Sequence, residues 1–174
     1  MSRRSWHGNG SVPEFTRPAT WEDVKLVARY FNEAGVEYAL IGAYALAAHG
    51  IVRLTEDIDV IVNPSAANSR RWIPALARLP DGAARELEAD PDVFAGQKRY
   101  AVRVNDDFTV DVLPGAGGHT WDELKAHITE VDIDGVRVKV LDFEGLLKTK
   151  QGVRPKDQVD AATIRRAIEL LKRK

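Results

Sequence analysis

There is no cysteine among the 174 residues, which excludes disulfides and thiolate metal centres. Histidine is scarce too: His7, His49, His119 and His127 are scattered, and give a zinc site little to be built from. No apolar run approaches the ~18–20 residues of a bilayer span, and no secretion-signal pattern opens the chain. The expectation is a cytoplasmic protein with no membrane partner. A surplus of one charge is also missing. Twenty-five Lys and Arg against 26 Asp and Glu leave a formal net charge of −1, which argues against coating nucleic acid by bulk electrostatics but leaves room for a local basic cleft. No internal repeat is visible. What is present is ordinary for a globular domain, with 44% hydrophobic and 29% charged residues. Residues 1–18 carry Gly, Ser, Pro and basic residues without period and read as a flexible arm before a single domain, 19–174.

One segment breaks that ordinariness. Asp is depleted in strands, yet Asp57 and Asp59 open the run Asp57-Ile58-Asp59-Val60-Ile61-Val62. Alternation puts both carboxylates on one face and Ile58, Val60 and Val62 on the other, with the acids ~6–7 Å apart along the strand. Glu56 points to the opposite face. Just upstream, Tyr38-Ala39-Leu40-Ile41 runs into Gly42-Ala43, a turn whose backbone N–H groups are suited to a phosphate. Hard oxygen donors beside a phosphate cradle suggest Mg2+-assisted phosphoryl or nucleotidyl transfer. Arg53 and Thr55 lie between turn and carboxylates and are candidate nucleotide contacts; a surface arginine and a strand-favouring threonine are the alternatives. A third acid, Asp111, interrupts the apolar run Phe108–Leu113 in the same way. If the two strands are neighbours, Asp57, Asp59 and Asp111 can hold two Mg2+ ions and one of them can activate an attacking hydroxyl. The alternative for Asp111 is the exposed face of an edge strand.

The rest reads as a mixed α/β chain, a mixed sheet with helices mostly on one side and a helical C-terminal part. Helices are expected over about 21–34, 43–49, 66–79, 142–150 and 156–172, with Pro74 kinking or shortening the third. Strands are expected at about 37–41 and 57–62, with hairpins at 98–104/108–113 and 128–133/136–141. Ala161, Ile164, Ile168 and Leu171 form the apolar stripe of the last helix. His49-Gly50 reads as a helix end, and Gly115-Ala116-Gly117-Gly118, which lacks a phosphate-loop spacing, as a flexible loop beside the site. Lys148, Lys150, Arg154 and Lys156 form a basic cluster suited to a nucleotide or an RNA end, or else a solvated helix end.

Three ordered segments carry a resemblance: Ile41-Gly42-Ala43-Tyr44-Ala45-Leu46-Ala47-Ala48-His49-Gly50, Arg53-Leu54-Thr55-Glu56-Asp57-Ile58-Asp59, and Leu147-Lys148-Thr149-Lys150-Gln151-Gly152-Val153-Arg154-Pro155-Lys156-Asp157. In this order they resemble small bacterial nucleotidyltransferases of the polymerase-β-like superfamily, and more closely the compact AbiEii- and MenT-type toxins. The second position of the usual Gly-Gly or Gly-Ser pair is Ala43, which keeps the backbone N–H but has no hydroxyl. The resemblance implies the polymerase-β-like fold and transfer of a nucleoside monophosphate from an NTP to a hydroxyl, with release of pyrophosphate. It implies catalytic and metal-binding roles for Asp57, Asp59 and Asp111, a phosphate-side role for Gly42 and Ala43, and charge stabilisation by Lys150. A nucleotide-binding role for Asp157 follows from the same motif, against a simple helix-start charge. It further implies an RNA acceptor such as a tRNA 3′ end and a cognate antitoxin. The alternatives are modification of a protein or antibiotic hydroxyl, and a nucleotide-binding or antitoxin-interacting domain without turnover.

Overall fold

A computed structural model describes residues 16–97, 101–152 and 154–174; most of the expected arm and the first residues of the strand expected from 98 lie outside them. Helix α1, Trp21–Ala34, starts where the Asp23 carboxylate accepts the Thr20 backbone N–H at 2.8 Å and stops at Gly35, whose φ of 68° suits a left-handed cap. Its Val24, Val27, Ala28 and Phe31 are buried. Strand β1, Tyr38–Ile41, is buried throughout and passes directly into α2, Gly42–Ala48. Strand β2 is Asp57–Val62 and α3 is Ala66–Ala77. Pro74 lies inside α3 without breaking it, and the helix ends two residues before the expected 79.

The expected first hairpin forms from β3, Val102–Asn105, and β4, Thr109–Leu113. Next, β5 (Gly115–Ala116) pairs with β6 (His119–Thr120), and the short α4, Trp121–Leu124, follows. The glycine-rich segment is therefore a tight hairpin rather than a loose loop. A Cβ at Gly117, φ 61°, would stand 2.4 Å from the Lys148 carbonyl, so the hairpin lies against the end of the next-to-last helix through a position only glycine can fill. Strands β7, Ile128–Ile133, and β8, Val136–Leu141, make the second hairpin, and α5, Phe143–Thr149, and α6, Pro155–Lys172, complete the chain.

The six-stranded sheet has the order β3-β4-β2-β1-β8-β7, with β2/β4 and β1/β8 parallel and the remaining pairs antiparallel. The core runs through its central strands, where Leu40, Ile58, Val60, Val110, Val112 and Val140 are buried, and α1 packs on β8 and α3. Ala161 and Ile164 anchor α6, but Leu171 is 57% exposed and does not extend the stripe, because the helix runs past the surface it packs on. Just before α1 the chain crosses the ends of β2 and β4: the Arg17 N–H donates to the Asp107 carbonyl at 3.0 Å, and the Ala19 N–H to that of Glu56 at 2.9 Å.

Candidate active site

Register builds the site. In the parallel β2/β4 pair Asp59 lies opposite Asp111 and Asp57 opposite Thr109. Asp57 and Asp59 share a face by alternation, and pairing across the ladder adds Asp111 to it. The antiparallel β1/β2 pair sets Ile41 against Asp59, so the turn into α2 begins beside that carboxylate. Gly42 has φ 71°, and a Cβ there would lie 2.5 Å from Asp59 Oδ2. The glycine lets the backbone approach a carboxylate where no side chain fits.

Burial drives the Asp59 pKa up to about 7; repulsion from Asp111 and Asp57 adds to the shift, while Lys150 opposes it. Asp57 is raised for the same leading reason, with Asp111 next and Arg103 opposing. Such crowding of acids calls for a positive charge. In this structure the charge is Arg103. Residue 103 on β3 pairs with Asp111 on β4, and its guanidinium forks onto that carboxylate, Nε to Oδ1 at 2.8 Å and Nη2 to Oδ2 at 3.0 Å. The same Nη2 reaches Asp57 Oδ2 at 3.4 Å. Among the described residues no three His, Cys, Asp or Glu side chains close into a metal cage, and the guanidinium spans the gap between Asp111 and Asp57. The donors themselves fit a divalent cation: all are carboxylate oxygens, on one face, with a shared excess of negative charge.

The basic residues form a second layer. Lys150, at the end of α5, sets its Nζ 3.2 Å from Asp160 Oδ2 and 3.8 Å from Asp157 Oδ1. Arg53 pairs with Asp160, and Arg154 Nε donates to Asp157 Oδ2 at 2.8 Å. Asp157 and Asp160 are both buried. Burial lowers the Lys150 pKa, with Asp157 opposing, whereas the hydrogen bond from Arg154 is the largest effect holding Asp157 below the usual carboxylate range. Lys150 thus reaches Asp59 through its field, while its direct partners are the two acids of α6. The Thr55 hydroxyl donates to the Asp57 carbonyl at 3.1 Å and accepts the Asp57 N–H at 3.3 Å, which shapes the entry to β2.

The carboxylates and Gly42 therefore come together in one place; Arg53, Lys150 and Asp157 meet in the ion cluster beside it, and Ala43 follows Gly42 in the turn. Arg103 and Asp160 are absent from the sequence reading. Only Asp160 left a signal, since it falls on the inward stripe of α6 with Asp157, Ala161 and Ile164. A hairpin closed around Asn105-Asp106-Asp107 would set 103 against 109; the observed turn, with Asn105 paired to Thr109, lies one residue later and brings 103 to 111.

Beyond Asp111, on the same face of β4, Leu113 borders a cavity of about 880 Å³ whose walls include Phe94, Gly118, His119, Trp121 and Asn63. His119 is held between Glu123 at 3.0 Å and Gln151 at 3.2 Å.

No protein-family model matches this sequence, and no curated protein matches it significantly. Solved structures do. A Thermotoga maritima protein, described as a candidate nucleotidyltransferase, superposes with a TM-score of 0.53 at 13% identity, over 95% of this chain and 97% of its own. An antigenic nucleotidyltransferase-like protein from Paracoccidioides brasiliensis aligns over 81% of this chain and 72% of its own, at 18% identity and a TM-score of 0.45. The antibiotic-resistance factor ANT(2″)-Ia does so over 89% and 97%, at 15% identity and the same TM-score. The first of these carries the conclusion: this chain has the nucleotidyltransferase fold, a mixed sheet flanked by helices.

Proposed function

We propose that this chain is a Mg2+-dependent nucleotidyltransferase that moves a nucleoside monophosphate from an NTP to an acceptor hydroxyl. The observation that carries the reading is the Asp59–Asp111 pairing across β2 and β4, with Asp57 on the same face and Gly42 pressed against Asp59. Asp57, Asp59 and Asp111 would hold the metal, which when bound supplies Lewis-acid charge at the reacting phosphate. Gly42 and Ala43 border the triphosphate with backbone N–H groups. Arg53 and Thr55 shape the loop between turn and carboxylates, and Asp157 and Asp160 hold Lys150 where its ammonium offsets charge on the departing pyrophosphate. Asp111, opposite Asp59 on the same face, would orient and deprotonate the attacking hydroxyl.

The ordered motifs support a toxin acting on RNA, at a tRNA 3′ end, and held in check by a cognate antitoxin. The cavity beyond Leu113 favours a second reading, in which a compact molecule such as an antibiotic presents the hydroxyl; its volume of about 880 Å³ and partly aromatic wall suit a small acceptor. One experiment separates these. Radiolabelled NTPs are incubated with Mg2+, the protein, and in turn total tRNA, cell protein and a panel of hydroxyl-bearing antibiotics. Label on tRNA supports the toxin reading, and label on a small molecule or protein moves the assignment there. Label on nothing, with NTP still bound, leaves a nucleotide-binding domain without turnover.

A further inference from the structure

We propose that Arg103 is the cation that a divalent metal must displace, so that this one side chain sets the metal affinity of the carboxylate face. The inference rests on the metal reading above and goes beyond it, because it assigns a role to a residue outside the ligand set.

Four observations converge on it. The guanidinium is bidentate on Asp111, 2.8 and 3.0 Å, so one lone pair of each oxygen is already taken. Its second nitrogen reaches Asp57 at 3.4 Å, so a single positive group bridges the first and third acids of the face that would hold a metal. The two ends of the pair differ in freedom: the Arg103 side chain is 59% exposed and that of Asp111 is 16% exposed. The arginine can swing into solvent, whereas the carboxylate is fixed in the sheet. Finally, β3 is an edge strand, and the neighbours of Arg103 within it, Val102 and Val104, are buried on the other face. Among the described residues, the ion pairs of Arg103 are with Asp57 and Asp111.

The physical consequence is a competition. Unpaired, three acids on one face repel one another, as the raised Asp59 and Asp57 pKa values register. A guanidinium relieves that repulsion in the metal-free protein. A divalent ion arriving at the same oxygens meets a like charge at contact distance, and it binds fully only when the guanidinium leaves. Apparent metal affinity is then the intrinsic affinity reduced by the fraction of molecules in which Arg103 is docked.

The test uses the full chain, stripped with EDTA and free of nucleotide. Mn2+ alone is titrated by calorimetry into the wild type, Arg103→Ala, Arg103→Lys and Asp111→Asn. Arg103→Ala should bind Mn2+ about two- to fivefold more tightly, the range that one mostly exposed charge pair supports. Arg103→Lys, which cannot fork, should fall between it and the wild type. In EDTA, Arg103→Ala should melt below the wild type, and saturating Mn2+ should close that gap. Equal or weaker Mn2+ binding by Arg103→Ala, while Asp111→Asn loses it, overturns the Arg103 assignment alone. Absence of Mn2+ binding in the wild type, or full binding by Asp111→Asn, overturns the carboxylate metal site and this inference with it. A measurement on the wild type covers the case in which Arg103→Ala does not fold. The Arg103 Nε–H resonance should shift or broaden as Mg2+ saturates the protein, and a resonance that stays in place overturns the displacement.

Discussion

Gly42 is the residue at which backbone and chemistry meet most closely. Its φ of 71° is a region that side chains avoid, and an added Cβ would sit 2.5 Å from the Asp59 carboxylate. Gly42→Ala should therefore cost about 2 kcal/mol of stability from the left-handed backbone and the clash together, and transfer should fall with it; denaturant titration and the labelled-NTP assay check both. Asp59 supplies a pH signature. Its carboxyl titrates near pH 7 in the folded chain rather than at 3.8, so between those values the native state keeps a proton that the unfolded chain has released. Stability of the metal-free protein should therefore decline as pH rises from about 4 to about 7, and metal affinity should climb over the same interval as the proton leaves. Melting curves in EDTA across that range, for wild type and Asp59→Asn, isolate the contribution; a wild-type-minus-variant difference that grows with pH contradicts it. Lys150 and Lys148 form a matched pair. If the proposed function holds, Lys150→Ala should lower kcat on the order of 10²-fold with KM for NTP little changed, because its charge would matter most as pyrophosphate departs. Lys148→Ala, two residues away and so on another side of the helix, should be mild. Similar small effects for both would leave Lys150 as a structural partner of Asp157 and Asp160 alone.

At the scale of elements, α6 does more than pack on α5. It carries Asp157 and Asp160 inward, and through them it fastens the end of α5 by Lys150 and the loop before β2 by Arg53. Asp160→Asn keeps the shape and removes the charge, and leaves Arg53 without its partner and Lys150 with Asp157 alone. The expected cost is about 2–3 kcal/mol, since half of a buried ion pair is left uncompensated. Transfer should fall further than the fold loosens, with the loss in kcat, because Lys150 is no longer steered toward Asp59. Chemical denaturation and steady-state kinetics on the one variant separate the two effects; unchanged kcat in a destabilised protein would mean that Asp160 serves packing only. The secondary structure itself was legible wherever local signals agreed. Thr20 and Gly35 mark both ends of α1, Asp134-Gly135 marks the second hairpin, and Pro64 follows β2. Elements went astray where the decision was tertiary. The glycine hairpin at 115–120 is ordered by its contact with α5, and Leu171 is exposed because no surface remains beneath it.

For the whole molecule, the toxin reading makes a prediction that no single contact makes. Expression without a partner should slow growth, and Asp57→Ala should lift that effect at equal protein level by immunoblot. Harmless expression of the wild type moves weight to the small-molecule acceptor. The amino-acid sequence by itself determined that Asp57 and Asp59 share a face, since alternation along a strand needs no partner. It also determined that Asp111 interrupts an apolar strand, and that a glycine turn stands before the first acids. Strand order is another matter. Only the tertiary structure decided that β4 lies parallel beside β2 and β3 beyond it, the register that sets Asp59 against Asp111 and Arg103 across from it. The pairing of Arg53 and Lys150 with one buried aspartate, more than a hundred residues along the chain from Arg53, was likewise decided there. Side-chain alternation is a property of the local backbone, whereas the meeting of charges from distant segments depends on how buried strands and helices stack, and that is settled by the packing of the entire core.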